Sequence, residues 1–70
     1  MSNLPSLTPK ELIEILKRKG FLLKRIHGSH HYFRHAQSGK VVVVPMHNKD
    51  LAKGTLHAIL KQAGIDKNEI

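Results

Sequence analysis

The sequence predicts an α+β domain in the order α-β-β-β-α, with a three-stranded antiparallel sheet and two helices on one face of it. Three observations predict this fold. An amphipathic segment with helix-start and helix-stop signals comes first, three short β-prone runs follow, and a second amphipathic segment comes last. A chain of this length is expected to form a single domain around one small core.

The first helix is expected to begin after Thr8, whose hydroxyl is a capping group. Pro9 stands where its missing N–H costs nothing, and Glu11 can reach back to the cap, as in a capping box. One apolar stripe follows, formed by Leu12, Ile13, Ile15 and Leu16. Because Gly20 can adopt the left-handed closing conformation, the helix is expected to end at Lys19 or Gly20.

Three strands are expected where aromatic and β-branched residues are concentrated, at residues 21–26, 31–34 and 41–44. A turn at residues 28–29 separates the first two strands, and residues 36–40 supply the hairpin turn before the third. Gly39 is the natural residue for a positive φ in that second turn. These short connections predict an antiparallel meander.

The second helix is expected from apolar residues at helical spacing, namely Leu56, Ile59, Leu60 and Ala63. A polar loop over residues 46–53 precedes it. Thr55 supplies a hydroxyl that can cap this helix, and Gly64 ends it. Residues 66–69 have the form of another cap and predict a short third turn. The complete order is that of double-stranded-RNA-binding domains.

The chain carries twelve Lys or Arg, five Asp or Glu, and a formal charge of +7. Such a basic field attracts nucleic acid, an anionic membrane surface or an acidic protein. The absence of cysteine excludes disulfides and cysteine-ligated zinc. No apolar run approaches the roughly 20 residues that cross a bilayer, and no secretory signal is present, so we expect a cytoplasmic protein without a membrane partner. No cofactor is expected, because so small a domain has little room for a deep cavity.

The six histidines raise the question of a metal site. Zinc sites usually need three or four converging ligands, whereas the adjacent His30 and His31 point to opposite faces of a strand. His35 and His47 come with no cysteine or well-placed carboxylate. We therefore expect no metal and interpret most of the histidines as surface residues of a basic domain.

His30 differs from the other histidines because it follows Gly28 and Ser29, where a tight turn can present its side chain at the edge of the exposed surface. Histidine readily takes and gives protons at cellular pH, and a basic field beside it would hold a phosphodiester. Lys24 and Arg25 are weaker candidates for that field. Simple alternation puts them on opposite faces of the first strand, so only one can share the face of His30.

A second candidate feature is the start of the second helix. Lys49 and Lys53 lead into Gly54 and Thr55, and the backbone N–H groups of a helix start attract anions. Together these groups form a candidate phosphate site. The alternative is an ordinary solvated loop and helix cap.

Four short motifs stand in the order and spacing of a known family. They are Gly20-Phe21, Gly28-Ser29-His30-His31-Tyr32, Pro45-Met46-His47, and Lys53-Gly54-Thr55-Leu56 leading into Ile59-Leu60-Lys61-Gln62-Ala63-Gly64. In combination they resemble the HicA-type mRNA interferase toxins of bacterial and archaeal toxin–antitoxin systems. On this resemblance, residues 1–70 are expected to be a single HicA-like toxin domain, although residues 1–6 lie outside the match.

The resemblance implies metal-independent cleavage of messenger RNA and neutralisation by a HicB-type antitoxin in a hetero-oligomer; a homo-oligomer of the free protein stays open. The catalytic histidine of the family's Gly-Ser-His motif falls on His30. As general acid or base, it would assist attack of a ribose hydroxyl on the adjacent phosphate, leaving a cyclic phosphate. The second proton-transfer group stays unassigned among His47, His31 and Tyr32. RNA contacts are expected at Gly28, Ser29, Lys24, Arg25, Lys49, Lys53 and Thr55.

Two other functions stay open. One is a non-catalytic RNA-binding module of the same fold, and the other is a protein whose sole target is an acidic protein. Replacing His30 by Ala separates the first from a nuclease, since only a nuclease loses cleavage while RNA affinity is kept. The second predicts no salt-sensitive RNA affinity.

Overall fold

The computed structural model describes residues 6–46 and 49–69 and has the expected order of elements. The elements are α1 (Pro9–Arg18), β1 (Phe21–His27), β2 (His30–His35), β3 (Val41–Pro45), α2 (Lys53–Ala63) and a short 3₁₀ helix (Lys67–Glu69). The strands form one antiparallel sheet in the order β1-β2-β3. The predicted α+β fold is therefore confirmed.

The start of α1 is held by the predicted capping box. Glu11 donates its backbone N–H to the Thr8 hydroxyl at 3.2 Å, and the Thr8 backbone N–H donates to Glu11 Oε1 at 2.9 Å. Each side chain thus satisfies a backbone group that the first turn leaves unpaired. The helix ends at Arg18, and the backbone N–H of Lys19 closes its last turn.

The two hairpin turns differ in type. Gly28 has φ 60°, whereas no described residue other than glycine has a positive φ, so Ser29 does not. Glycine with a positive φ at the first of two central positions indicates a type II′ turn, whose twist matches that of the paired strands. In the turn between β2 and β3, Gly39 has φ 76°, as predicted, and its backbone N–H donates to the His35 carbonyl at 3.0 Å.

Alternation along the strands gives the sheet two different faces. Phe33, Val42 and Val44 are buried on one side, which we call the helix face because α1 and α2 pack against it. The other side, which we call the open face, carries His30, Tyr32, Arg34 and the residues paired with them. The valine run is apolar on both faces in the sequence, but only the side chains at even-numbered positions enter the core.

A β-bulge interrupts the alternation in β1. Leu23 pairs with Phe33 and Arg25 pairs with Tyr32, so Lys24 is the extra residue. Both Lys24 and Arg25 line a depression that also includes Tyr32. The expectation that the two basic residues lie on opposite faces was therefore wrong, because a bulge puts two successive residues of one strand opposite a single partner.

The second helix begins earlier than its sequence suggests. Its N-cap is Ala52, which makes no side-chain hydrogen bond, and the Leu56 backbone N–H donates to the Ala52 carbonyl at 2.9 Å. Thr55 lies inside the first turn, so its predicted role as the cap was wrong, and Lys53 belongs to the helix rather than to the loop. Leu51 explains the early start, because it is buried and its backbone N–H donates to the Leu7 carbonyl at 2.8 Å.

The core lies between the helices and the helix face. It consists of Leu12, Leu16, Phe21, Phe33, Val42, Val44, Leu51, Leu56, Ile59, Leu60, Ala63 and Ile65. At the end of α2, a Cβ built on Gly64 would lie 2.6 Å from Lys40 Nζ, beside the start of β3. The helix packs on β3 and its first residue, Lys53, therefore lies toward the other end of that strand, where Pro45 and His30 pair. No helix in the described part of the chain is long and apolar enough to cross a membrane.

Candidate functional site

His30 is the first residue of the central strand, and its side chain is exposed on the open face. It pairs with His27 on β1 and with Pro45 on β3. The type II′ turn at Gly28 and Ser29 brings the chain into β2 at this position. His30 thus stands where three strands meet at one rim of the sheet, accessible to a large polymer.

A backbone hydrogen bond fixes this rim. The Met46 backbone N–H donates to the Ser29 carbonyl at 2.7 Å, which ties the residue after β3 to the turn before β2. A Cβ built on Gly28 would meet no atom within 4 Å, so the backbone of the turn is open on the side of that glycine. The turn is consequently tied to the end of β3 and approachable, two properties that suit a phosphate-contacting backbone segment.

Basic and aromatic side chains continue across the open face from this rim. The Arg25 guanidinium carbon lies 4.9 Å from the centroid of the Tyr32 ring, within the range of a cation–π contact. Arg34 follows on the same face of β2, two residues beyond Tyr32. These side chains and Lys24 line a shallow depression, to which Phe33 and Val41 also contribute. A flat ring with cations around it is suited to stack a nucleobase and hold its phosphate.

Acidic residues are missing from this part of the chain. Residues 15–49 contain no Asp or Glu but eight Lys or Arg and five of the six histidines. The acidic residues of the protein lie in α1, before α2 and near the 3₁₀ helix, and they are Glu11, Glu14, Asp50, Asp66 and Glu69. The sheet therefore presents a positive field that no carboxylate within its strands offsets.

The predicted phosphate site at the start of α2 lies at the same end of the molecule as His30, but in the helix layer. Lys49, Lys53 and Thr55 all have exposed side chains. Lys53 is the first residue of α2 and Thr55 the third, so both lie in the turn where backbone N–H groups are unpaired. The start of α2 and the Gly-Ser-His turn thus lie in two different layers at one end of the molecule.

The remaining described histidines have different surroundings. His31 points to the helix face, opposite to His30 as expected, and its Nδ1 is buried without a hydrogen-bond partner in the described residues. His35 is bonded through both ring nitrogens, and His57 lies on α2 near Lys61. Within residues 6–46 and 49–69, no three His, Cys, Asp or Glu side chains are grouped in a way that could hold a metal ion. His47 lies outside the described residues.

Sequence reasoning missed two residues of the open face, His27 and Arg34. The signal for His27 was present, because a two-residue turn at residues 28–29 pairs its flanking residues directly. His30, Tyr32 and Arg34 are alternate residues of β2, so strand alternation alone assigns Arg34 to the same face as the other two. It also missed the structural role of His35, which includes a hydrogen bond to the distant Lys19 carbonyl and a ring contact with Phe21.

A comparison with protein families finds a match to this chain. The model of the family described as HicA toxin of bacterial toxin–antitoxin systems matches residues 9–65, which extend from the first residue of α1 to the core residue after α2. No curated protein sequence matches the chain. Since the match covers both helices and the whole sheet, the resemblance seen in the four motifs is confirmed, and the chain belongs to the HicA toxin family of toxin–antitoxin systems.

Proposed function

We propose that this protein is an endoribonuclease that cleaves messenger RNA without a metal or other cofactor, using His30 as a general acid or base. The observation that carries the proposal is the position of His30. It is exposed at the rim of a sheet whose open face bears only basic, aromatic, imidazole and apolar side chains. Family membership supports a toxin, and the chemistry of this face supports RNA as its target.

In the proposed reaction, the phosphate that links two nucleotides is attacked by the 2′-hydroxyl of the ribose that carries it. The 2′-hydroxyl of the ribose loses its proton and attacks the adjacent phosphorus, and the bond from phosphorus to the 5′-oxygen of the next nucleotide breaks. That oxygen receives a proton, so the products are a 2′,3′-cyclic phosphate and a 5′-hydroxyl. We assign the transfer of one of these two protons to His30, and the stabilisation of the charge that develops on the phosphate to Arg25 and Lys24.

The RNA is proposed to follow the open face from the Gly28–Ser29 turn toward Arg34. Tyr32 offers a ring for one base to stack on, and Arg25 holds that ring from the side of β1. Lys49, Lys53 and Thr55 extend the track beyond the rim, toward the start of α2. The turn between β1 and β2 has only two residues, too short to reach into the groove of a duplex, which favours a single strand on the face of the sheet.

Cleavage in excess EDTA tests the proposal. Purified wild-type protein should cut a long single-stranded messenger RNA into fragments with cyclic or 3′-phosphate ends, while His30→Ala should leave it intact and still bind it. His57→Ala is the matched control, since it removes another exposed histidine from a different layer. Intact RNA from a folded wild-type protein would instead favour a non-catalytic RNA-binding module, which the Arg25–Tyr32 pair alone could serve.

The toxin is proposed to be held inactive by a HicB-type antitoxin in a hetero-oligomer, with residues 1–70 acting as one toxin domain. An acidic antitoxin surface would complement the acid-free open face and exclude RNA from it. We expect added antitoxin to stop cleavage and to displace a labelled RNA from His30→Ala. Displacement without inhibition, or inhibition with the RNA still bound, would contradict a shared face.

A further inference from the structure

The proposed cleavage needs two proton transfers at one phosphate, one from the 2′-hydroxyl and one to the 5′-oxygen. A single histidine cannot accept the first proton and deliver the second in the same step. A second group is therefore required within a few ångströms of the same phosphorus. We propose that His27 is this second catalytic residue and that it works as a pair with His30. The inference rests on the proposed ribonuclease function.

The pairing of the strands places the two imidazoles side by side. His27 is the last residue of β1 and His30 the first of β2, and they are directly opposite each other across the two-residue turn. Directly opposed residues have Cβ atoms about 5 Å apart and point to the same face of the sheet. Both side chains are exposed. One phosphodiester can thus contact both rings at once.

The other described histidines and Tyr32 are unsuited to carry the second proton, each for its own reason. His31 belongs to the helix face, and His35 uses both ring nitrogens in hydrogen bonds to backbone atoms. His57 lies on α2, in a depression with Lys61 and Asp66. Tyr32 shares the open face, but a phenol is a much weaker base than imidazole near neutral pH. Within the described chain, His27 is the histidine that shares the face of His30.

The charged and titratable groups around the pair are all basic or phenolic. On the open face these are Lys24, Arg25, Arg34 and Tyr32, while Pro45 and Val43 of β3 are uncharged. No carboxylate belongs to the strands, so neither imidazole is locked into an ion pair with an acidic residue of the sheet. Both rings are therefore available to exchange protons with RNA.

The protons taken up and released in this step balance within the two histidines. One neutral imidazole takes the proton from the 2′-hydroxyl as the oxygen–phosphorus bond forms, and the other, protonated imidazole gives its proton to the 5′-oxygen as the phosphorus–oxygen bond breaks. No electrons are transferred and no other reactant is consumed. The pair begins and ends with one proton, and proton exchange with water restores the starting arrangement.

Substitution of His27 gives the first test. We expect His27→Gln to lower kcat/KM for RNA cleavage by about 10²–10⁴-fold, as is typical for loss of a general acid or base, with RNA affinity nearly unchanged. The bell-shaped pH profile of the wild-type protein should lose one limb. His57→Gln should behave as the wild type. His27→Arg keeps a positive charge but cannot exchange a proton, so restored activity in that variant would overturn proton transfer in favour of phosphate binding.

A substrate with a good leaving group gives the second test. When the 5′-linked nucleotide is replaced by 4-nitrophenol, the leaving group departs as 4-nitrophenolate and needs no proton. The variant that lacks the general acid should therefore regain most of its activity on this substrate. The variant that lacks the general base should not. We therefore expect rescue of one of His27→Gln and His30→Gln and no rescue of the other. Rescue of both, or of neither, would overturn the paired mechanism.

These outcomes distinguish the inference from the proposed function. If the wild-type protein cleaves no RNA, the proposed function fails. If His30→Ala abolishes cleavage while His27→Gln cleaves at the wild-type rate, the proposed function stands and the role of His27 is refuted. Circular dichroism and thermal unfolding of His27→Gln verify that its fold is kept, as expected for an exposed position.

Discussion

His35 connects three segments of the chain through one imidazole ring. Its Nε2 lies 2.9 Å from the carbonyl oxygen of Lys19, and its Nδ1 accepts backbone N–H groups from Gln37 at 3.2 Å and Ser38 at 3.0 Å. Because Nδ1 accepts, the proton must reside on Nε2, which donates to Lys19. The ring also meets Phe21 edge to face, with centroids 5.0 Å apart. His35 is thus a structural residue.

We expect His35→Ala to lower the free energy of unfolding by about 1–3 kcal/mol, since three hydrogen bonds and an aromatic contact are lost. Urea denaturation followed by circular dichroism measures this. His30→Ala is the control, and its exposed side chain should change stability by less than about 0.5 kcal/mol. Equal effects of the two substitutions would contradict the different roles assigned to these histidines.

Tyr32 is expected to contribute to RNA affinity through its ring rather than its hydroxyl. Loss of a base-stacking ring typically weakens binding by about 1–3 kcal/mol. In a His30→Ala background that prevents cleavage, Tyr32→Ala should weaken binding by this amount while Tyr32→Phe should not. Fluorescence anisotropy with a labelled single-stranded RNA at fixed salt measures the difference. Equal losses in both variants would show that the hydroxyl, not the ring, contacts RNA.

At the scale of elements, the β1–β2 turn depends on one glycine. Gly28 has φ 60°, a conformation that costs other L-residues about 1–2 kcal/mol. We expect Gly28→Ala to destabilise the fold by about this amount. We also expect it to reduce RNA cleavage by more than this loss of stability explains, because a distorted turn separates His27 from His30. Gly54→Ala is the matched control, since Gly54 lies in α2 with open space around it and alanine favours a helix. Equal stability of Gly28→Ala and Gly54→Ala would contradict the assignment of a type II′ turn.

The 3₁₀ helix is tied to the end of α1 by a surface ion pair. Lys19 Nζ lies 2.6 Å from Glu69 Oε1, and the Asp66 backbone N–H donates to Glu69 Oε2 at 2.8 Å. The hydrogen bond from Lys19, and after it that from Asp66, lowers the pKa of Glu69 below the ordinary value of a glutamate. Since the folded pKa is lowered, the contribution of this contact is present above the unfolded pKa and is lost as pH falls through the folded pKa.

We therefore expect the 3₁₀ helix to detach from α1 in acid before the core unfolds. NMR chemical shifts of Asn68 and Glu69, followed from pH 7 to pH 2, should report a local transition that Glu69→Gln abolishes. Glu14→Gln, on the exposed side of α1, should leave the transition unchanged. A transition that persists in Glu69→Gln would mean that another group titrates.

At the scale of the whole molecule, the net charge of +7 predicts that the proposed RNA binding is accompanied by counterion release. The logarithm of affinity should fall linearly with the logarithm of salt, with a slope of about −0.7 for each phosphate contacted on a single strand. Replacing Lys49 and Lys53 together by Gln should make the slope shallower by about 1.4. Lys61→Gln, toward the far end of α2, should not change it. Salt-independent affinity in the wild-type protein would favour an acidic protein as the sole target.

The sequence was sufficient for what local chemistry determines. The capping box at Thr8, the closing glycine at position 64 and the order of elements depend on neighbours in the chain, and each was predicted correctly. The bulge at Lys24 was not predictable, because it depends on how β1 fits against β2. The early start of α2 was missed for a similar reason, since it follows from the bond between Leu51 and Leu7.

In the candidate site, too, the features that depend on neighbours in the chain were predictable and those that depend on distant contacts were not. The exposure of His30 follows from the turn before it, and its opposition to His31 follows from strand alternation. The bond from His35 to the Lys19 carbonyl joins segments 16 residues apart, so no local pattern reveals it. The pairing of His27 with His30 depends on register, which a two-residue turn determines once the turn is recognised.

The bulge in β1 has a further consequence for how the protein behaves in concentrated solution. Within the described chain, β1 pairs only with β2, so its outer edge carries unpaired backbone groups beside the exposed side chains of Leu22, Leu23 and Ile26. An apolar edge of this kind invites strands of other molecules to add to the sheet. Lys24 interrupts the regular pairing of β1 and adds a charge beside this edge, and both features are expected to disfavour the addition of further strands. The same residue lines the cationic depression of the open face.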